Sequence, residues 1–600
     1  MLERRRAVLP ADRPPGRRFL AVLVTLCALA ACTTDDSASP PATTASEPVA
    51  AAPVIADQVL IGAAVYTVDD AAPWAEAVAI ADGEIVFVGD ADAAVADHAG
   101  PDTEIVDLDG AMVLPGFIDT HAHPLQAAGL FHALLLDGGT LAETLDAVEA
   151  YEATNDLPYV LGFGFDETQF LPDGPRKEDL DAVVADKPVI VMDAGGHSAW
   201  VNSAALEAFG IDATTPDPIP GKHYFARDET GEPTGWLVES QAYYPYLAEL
   251  GVLNTDAIAT RTNPAYALLT SFGITTVFDA GASSFEDDAL AAAASLRDGD
   301  GLPLRIVASH MIQHPDQVPG AIDRFRELDE RYSEGLLTIG MIKIHDDGTT
   351  EALTSAMLEP FQIDPDNAGA VLLEPDVLTA LLLDADAAGI DVHIHTIGDR
   401  AVRDALDAVE EMRRVNPDSA SRPTLAHVEL IDDADRSRFA KLDIIVSTTS
   451  SWWTEPGSEA ALGADRARRL YTFADLADDG ARITFGSDFP ATGGPPTAAG
   501  PLWGIESGVT RINPGDPTAT AHRPDAAFDL ESMIRGYTID GAFQLGLDDR
   551  VGSLEVGKSA DLVILDANLF EIDPSAIDQV RVVATVLAGE VTYGALPDPG

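Results

Sequence analysis

His121 and His123 stand two residues apart at the end of an apolar run, Ile118-Asp119-Thr120-His121-Ala122-His123. Strand side chains repeat every two residues, so both imidazoles face one way. Three more apolar runs end in residues of the same chemical kind. One closes at His395, one at His427, and one, Ile483-Thr484-Phe485-Gly486-Ser487-Asp488, at an aspartate. A fifth, Gly340-Met341-Ile342-Lys343, ends in a lysine. Neutral imidazoles and carboxylates suit zinc and related divalent ions. A carboxylate beside such an ion can also take a proton from bound water. The set therefore describes metal-assisted hydrolysis, with Asp488 as the catalytic residue.

Elements of one kind could bring these positions together. In a parallel β/α barrel the C-terminal strand ends converge on one mouth. Apolar runs alternate with helical stretches through the middle of the chain, among them 376–388 and 400–414. That alternation predicts a parallel sheet. Eight strand ends fall near His123, Asp279, His310, Lys343, His395, His427, Ser447 and Asp488. The gap between the first two is too long for one βα unit, so residues 125–262 are expected to form an insertion or lid. Short alternating strands at 54–115 and again at 549–600 suggest one small β domain built from both termini, flanking a barrel at 116–548. Asp82-Gly83 reads as a hairpin turn, and residues 580–590 as a single strand.

Lys343 is one of only six lysines, against a formal net charge of −63. A lysine inside an apolar strand is therefore conspicuous. The acidic balance argues against nucleic acid or an anionic membrane surface as a partner and fits a solvated acidic exterior. No Gly-x-Ser-x-Gly elbow, phosphate-binding loop or dinucleotide fingerprint occurs, which removes serine-hydrolase and kinase chemistry. Trp452 and Trp453 follow the seventh strand and could either wall a substrate pocket or pack in the core. His345 and His393 share the faces of Lys343 and His395 and are expected in hydrogen-bonded core roles.

The first 31 residues read as a processing signal: arginines, then an apolar stretch from Phe19 to Ala31 too short for a stable span. Leu29-Ala30-Ala31-Cys32 resembles a bacterial lipobox. The expectation is a lipid on Cys32 in the cell envelope, with residues 32–53, rich in Ser, Thr, Pro and Ala, as a flexible tether. Cys27 would leave with the signal, so a disulfide or a multi-thiolate zinc site is excluded.

The chain also resembles the amidohydrolase superfamily, in its YtcJ-like branch. Leu114-Pro115-Gly116-Phe117-Ile118-Asp119-Thr120-His121-Ala122-His123-Pro124 carries the resemblance. So do the segments 196–206, 273–277, 395–401 and 485–490, and 552–562 near the C-terminus. The resemblance implies a (β/α)8 TIM-like barrel with a small β-sandwich made by both ends. It implies that His121, His123 and Asp488 hold one metal and His395 and His427 a second. A CO2-derived carboxylate on Lys343 would bridge them; an unmodified Lys343 would suit a single ion. It makes His197 a candidate substrate contact. The implied cofactor is one or two divalent ions, zinc first. The implied reaction is hydrolysis of an amide-like C–N bond, of the N-acyl or N-formyl amine kind, by a metal-activated hydroxide. A non-hydrolytic isomerase or lyase on the same scaffold, or a silent solute-binding lipoprotein, remains the alternative.

Overall fold

A computed structural model describes residues 53–598, apart from 131, 137, 300 and 455–457. The expected leader, the lipid site at Cys32 and nearly all of the tether lie outside the described residues. No described helix is long and apolar enough to cross a membrane.

Eight strands form one sheet in chain order: Phe117–Ala122, Ile274–Asp279, Arg305–Ile312, Leu337–His345, Asp391–Thr396, Thr424–His427, Ile445–Thr448 and Arg482–Phe485. Every neighbouring pair is parallel. Helices such as Pro375–Ala388 and Asp399–Val415 make the crossovers. The strands are buried almost throughout, as expected where helices cover one face and barrel side chains the other. This is the α/β barrel that the alternating pattern predicts, with its third and fourth strands running two residues past His310 and Lys343 and its eighth ending at Phe485, before Asp488.

The first and eighth strands meet at the mouth through backbone bonds just beyond the last ladder. The Asp488 amide donates to the His121 carbonyl at 2.7 Å, and the His123 amide to the Phe489 carbonyl at 2.7 Å. Gly486 permits this approach. A Cβ there would lie 2.5 Å from the His121 nitrogen and 2.6 Å from its Cβ.

Both ends of the chain build the outer sheets. Glu84–Gly89, Ala77–Ala81, Gln58–Ile61 and Glu104–Asp107 form a four-stranded sheet. A six-stranded sheet joins the C-terminal strands Glu590–Gly594, Val582–Leu587 and Leu562–Leu565 to the N-terminal Met112–Pro115, Ala64–Tyr66 and Trp74–Ala75. Leu60, Val78, Val113, Leu562 and Ile564 share one core between them. Asp82 and Gly83 both have positive φ (51° and 79°), the geometry of a tight hairpin turn. The single strand expected over 580–590 is instead a hairpin. Ala588 and Gly589 turn at φ 47° and 82° and send Glu590–Gly594 back along Val582–Leu587. The apolar run hid that turn because alanine is a weak turn signal.

Between the first two barrel strands lies a further six-stranded sheet, including Val160–Phe165, Val189–Asp193, Ser198–Val201 and Pro233–Val238. Its residues reach the barrel mouth.

Candidate metal centre

The strand-end residues converge. Nε2 of His121 and of His123 stand 3.5 and 3.4 Å from one Asp488 oxygen. The Lys343 amine is 3.3 Å from His121 Nε2. The His427 ring centroid lies 4.7 Å from that of His121 and 4.5 Å from that of His395. His121, His427 and Asp488 thus bring three ligand atoms within 4.8 Å of one another, and His197, His345 and His395 do the same. His427 and Asp488 adopt left-handed backbone (φ 69° and 53°). Such strain costs about 1–3 kcal/mol per residue and persists only where the surroundings enforce it.

What holds the imidazoles explains their readiness for a cation. His121 Nδ1 bonds to His393 Nε2 at 2.9 Å, and His123 Nδ1 to the Gly281 carbonyl at 2.7 Å. His395 Nδ1 bonds to Asp347 at 2.9 Å. In each ring the outer nitrogen is engaged and Nε2 is left for the centre, the pattern that fixes tautomer and orientation in metal sites. Burial, with the neighbouring lysine and imidazoles adding to it, pushes His121, His393 and His395 well below the ordinary imidazole range, and burial takes His427 to about 3 against the pull of Asp488. Neutral imidazoles are what a metal requires. The donor set and its tautomers therefore fit a divalent ion.

Asp347 also accepts from the backbone amides of Ala356, Ile397 and Gly398, at 3.1, 3.0 and 2.9 Å. It anchors the loop after the fifth strand as well as His395. An Asp347→Asn enzyme, unable to accept all these bonds, should lose about 10- to 100-fold in metal affinity. Metal content during chelator titration measures this; parent-like retention would contradict it.

Asp119 ties the centre together from beneath. Its carboxylate accepts from the His121 and Ser487 amides at 3.2 and 3.0 Å and from the Ser487 hydroxyl at 2.5 Å. One side chain thus fixes the backbone of His121, a proposed ligand, and of Ser487, the residue before another. Burial pushes Asp119 up to about 7 against those bonds.

Burial lowers Lys343 to about 7. It is 1% exposed, so much of its population is the neutral amine at physiological pH. Burial alone would raise Asp488; contacts with His123, His427 and Lys343 outweigh it and hold the carboxyl below its ordinary range.

His197 differs from the others. Burial would lower it, but Glu239, 3.0 Å from Nδ1, raises it to about 9 and is itself held near 2. A protonated imidazole is a hydrogen-bond donor and a poor ligand. That argues against a metal on the His197–His345–His395 set. His345 Nδ1 is buried without a partner among the described residues, and its ring packs against His197 and His395. The hydrogen-bonded core role expected of His345 is therefore not seen at that nitrogen, whereas His393 does bond to His121.

The centre opens into a cavity of about 870 Å³ lined by His395, His427, Asp488 and, from the insertion, His197, Phe163 and Glu167. Trp452 lines it too, stacking on His427 at 5.5 Å and donating to the Thr492 carbonyl. Trp453 does not line it. Its fully buried indole packs among Phe473, Phe485 and Phe528 beside Arg511. The apolar residues around it make that position core rather than pocket wall. Asp347, Glu239 and Asp119 escaped sequence reasoning. Asp119 stood inside the first strand's run, and Asp347 and Glu239 fell where no period marks a strand end.

Residues 104–593 match the amidohydrolase family. The exoenzymes regulatory protein AepA of Pectobacterium carotovorum subsp. carotovorum is 33% identical over 436 residues, covering 70% of this chain and 92% of that protein. The N-substituted formamide deformylase of Arthrobacter pascens is 29% identical over 564 residues, covering 90% and 98%. Among solved structures, an uncharacterized metal-dependent hydrolase from Pyrococcus horikoshii superposes with a TM-score of 0.67 at 25% identity, over 86% of this chain and 99% of that one.

Proposed function

The chain belongs to the amidohydrolase family and is a metal-dependent hydrolase of small molecules, and on that premise we propose that it cuts an amide-like C–N bond, of the N-acyl or N-formyl amine kind. The observation that carries this reading is that buried Asp488, 3.4 Å from His123 Nε2, and His197, whose Nδ1 lies 3.0 Å from a Glu239 oxygen, line one cavity. Amide cleavage needs a base that takes a proton from water and returns it to a leaving nitrogen. It also needs a donor for the carbonyl oxygen as that oxygen gains charge. The likeness to a formamide deformylase over nearly its whole length supports the same bond.

His121, His123 and Asp488 would hold one ion, and His395 and His427 a second, with Lys343 between them as a carboxylated lysine. A divalent ion bound there would make water a better nucleophile and polarise a carbonyl. The chain's own groups do the rest. Asp488 accepts the water proton and delivers it to the departing amine. His197, held by Glu239, donates to the carbonyl oxygen. The Lys343 amine, neutral through burial, adds to the carbon of CO2 and loses a proton, which leaves an anionic carbamate beside His121. Trp452 and Phe163 give the cleft an apolar wall.

The test is amine release from a panel of N-formyl and N-acyl amines. Turnover should vanish on chelation and return on adding zinc or another divalent ion. Isomerised products, or turnover that chelation leaves intact, would refute the reading.

A further inference from the structure

The cavity wall beyond the metal-binding residues carries an unbalanced charge. Asp166, Glu167, Asp193, Glu351 and Glu429 line it against one cationic side chain, His197, which Glu239 already holds; no lysine or arginine lines it among the described residues. An acidic surface on a chain of net charge −63 is ordinary, since water solvates it. These groups are different. Glu167 is 4% exposed and Glu429 5%. One carboxyl oxygen of each, Glu167 Oε1 and Glu429 Oε2, is buried with no hydrogen-bond partner among the described residues. The other Glu167 oxygen accepts from Ser198 at 2.6 Å.

Burial, with repulsion from Asp193 and Glu351, pushes the Glu167 carboxyl well above its ordinary range. Glu351 and Glu429 line the same cavity as Glu167. Buried carboxyls without counter-charges are costly and are ordinarily paired. A cation that enters with substrate would supply the missing partner. Trp452 and Tyr471 line the same cavity, and aromatic rings favour a nearby cation.

We propose that the cavity selects substrates bearing an ammonium or guanidinium group, seated against Glu167, Glu351 and Glu429, while the scissile bond lies at the strand-end histidines. This deepens the amide-hydrolase reading and rests on it for which bond is cut, though not for cation binding. The alternative source of balance is the metal centre itself, for which these acids would merely offset charge.

A matched pair of probes separates the two. Monoacetylcadaverine and N-hexylacetamide have the same shape and differ by an ammonium in place of a methyl. Calorimetric titration into metal-loaded enzyme would be done in high salt, which screens the general surface charge. The cation should bind at least about tenfold more tightly, the scale of one charged hydrogen bond. In the double variant Glu167→Gln/Glu429→Gln that preference should shrink to within about threefold while metal content stays at the parent level. Equal affinities in the parent, a preference that survives in the variant, or a variant that loses metal would each overturn the proposal. The parent comparison stands even if the variant fails to fold. Tight binding of monoacetylcadaverine, with no amide of the whole N-formyl and N-acyl panel cleaved, would support the cation seat while refuting amide hydrolysis.

Discussion

Replacing Lys343 with methionine is expected to lower kcat/KM about a thousandfold, because a centre short of one ion forgoes roughly 4 kcal/mol of transition-state charge stabilisation. The variant should also bind about one metal equivalent fewer. Its folding should not suffer. Lys343 is 1% exposed, and removing a buried amine relieves a desolvation cost. Thermal stability without added metal should hold or rise, which separates loss of the centre from loss of the fold. The modification has its own signature. Parent enzyme given carbon-13 bicarbonate should show a carbamate resonance that Lys343→Met lacks. The sign of its pH dependence follows from burial. The amine titrates near 7, so acidification converts it to an ammonium that cannot add to CO2. For enzyme loaded without metal the carbamate should therefore grow as pH rises through 7 and fade below it. A variant with parent activity and metal content would leave Lys343 a structural lysine.

Asp488→Asn should cost about 10²–10⁴ in kcat at saturating metal, the usual span for a positioned acid–base group. The amide keeps the shape of the carboxylate and can still approach His121 and His123. It cannot receive a proton from water, so the chemical step suffers beyond any loss of metal affinity. Measuring kcat across a series of metal concentrations separates the effects. A deficit that added metal abolishes would make Asp488 a ligand only. A deficit that persists at saturation makes it the proton carrier.

Much of the architecture was legible in the chain. Parallel barrel strands buried on both faces leave long apolar runs, and their ends fall close to the histidines, lysine and aspartate that stand out in the sequence. The closing of the eighth strand on the first was not legible, because it rests on Gly486 and on backbone bonds between segments over 350 residues apart. The groups behind the ligands were equally hidden. Gly281, Asp347 and His393 serve different histidines through contacts that only the folded barrel creates. The rule of two placed His393 on the same face as His395 but could not say that it would bond to His121. Trp452 and Trp453 show the same limit. Adjacent indoles looked equivalent, yet one stacks on His427 in the cavity and the other fills the core.

The central claim is that metal held by these residues directs water at a C–N bond, and its most direct test is isotopic. An N-formyl or N-acyl amine that the enzyme turns over would be incubated in ¹⁸O-labelled water with metal-loaded and with chelated protein. The account predicts one labelled oxygen in each carboxylate released, none in the amine, and no product from the chelated sample. Product formed without label, or labelled product formed equally well after the metal is removed, would contradict it.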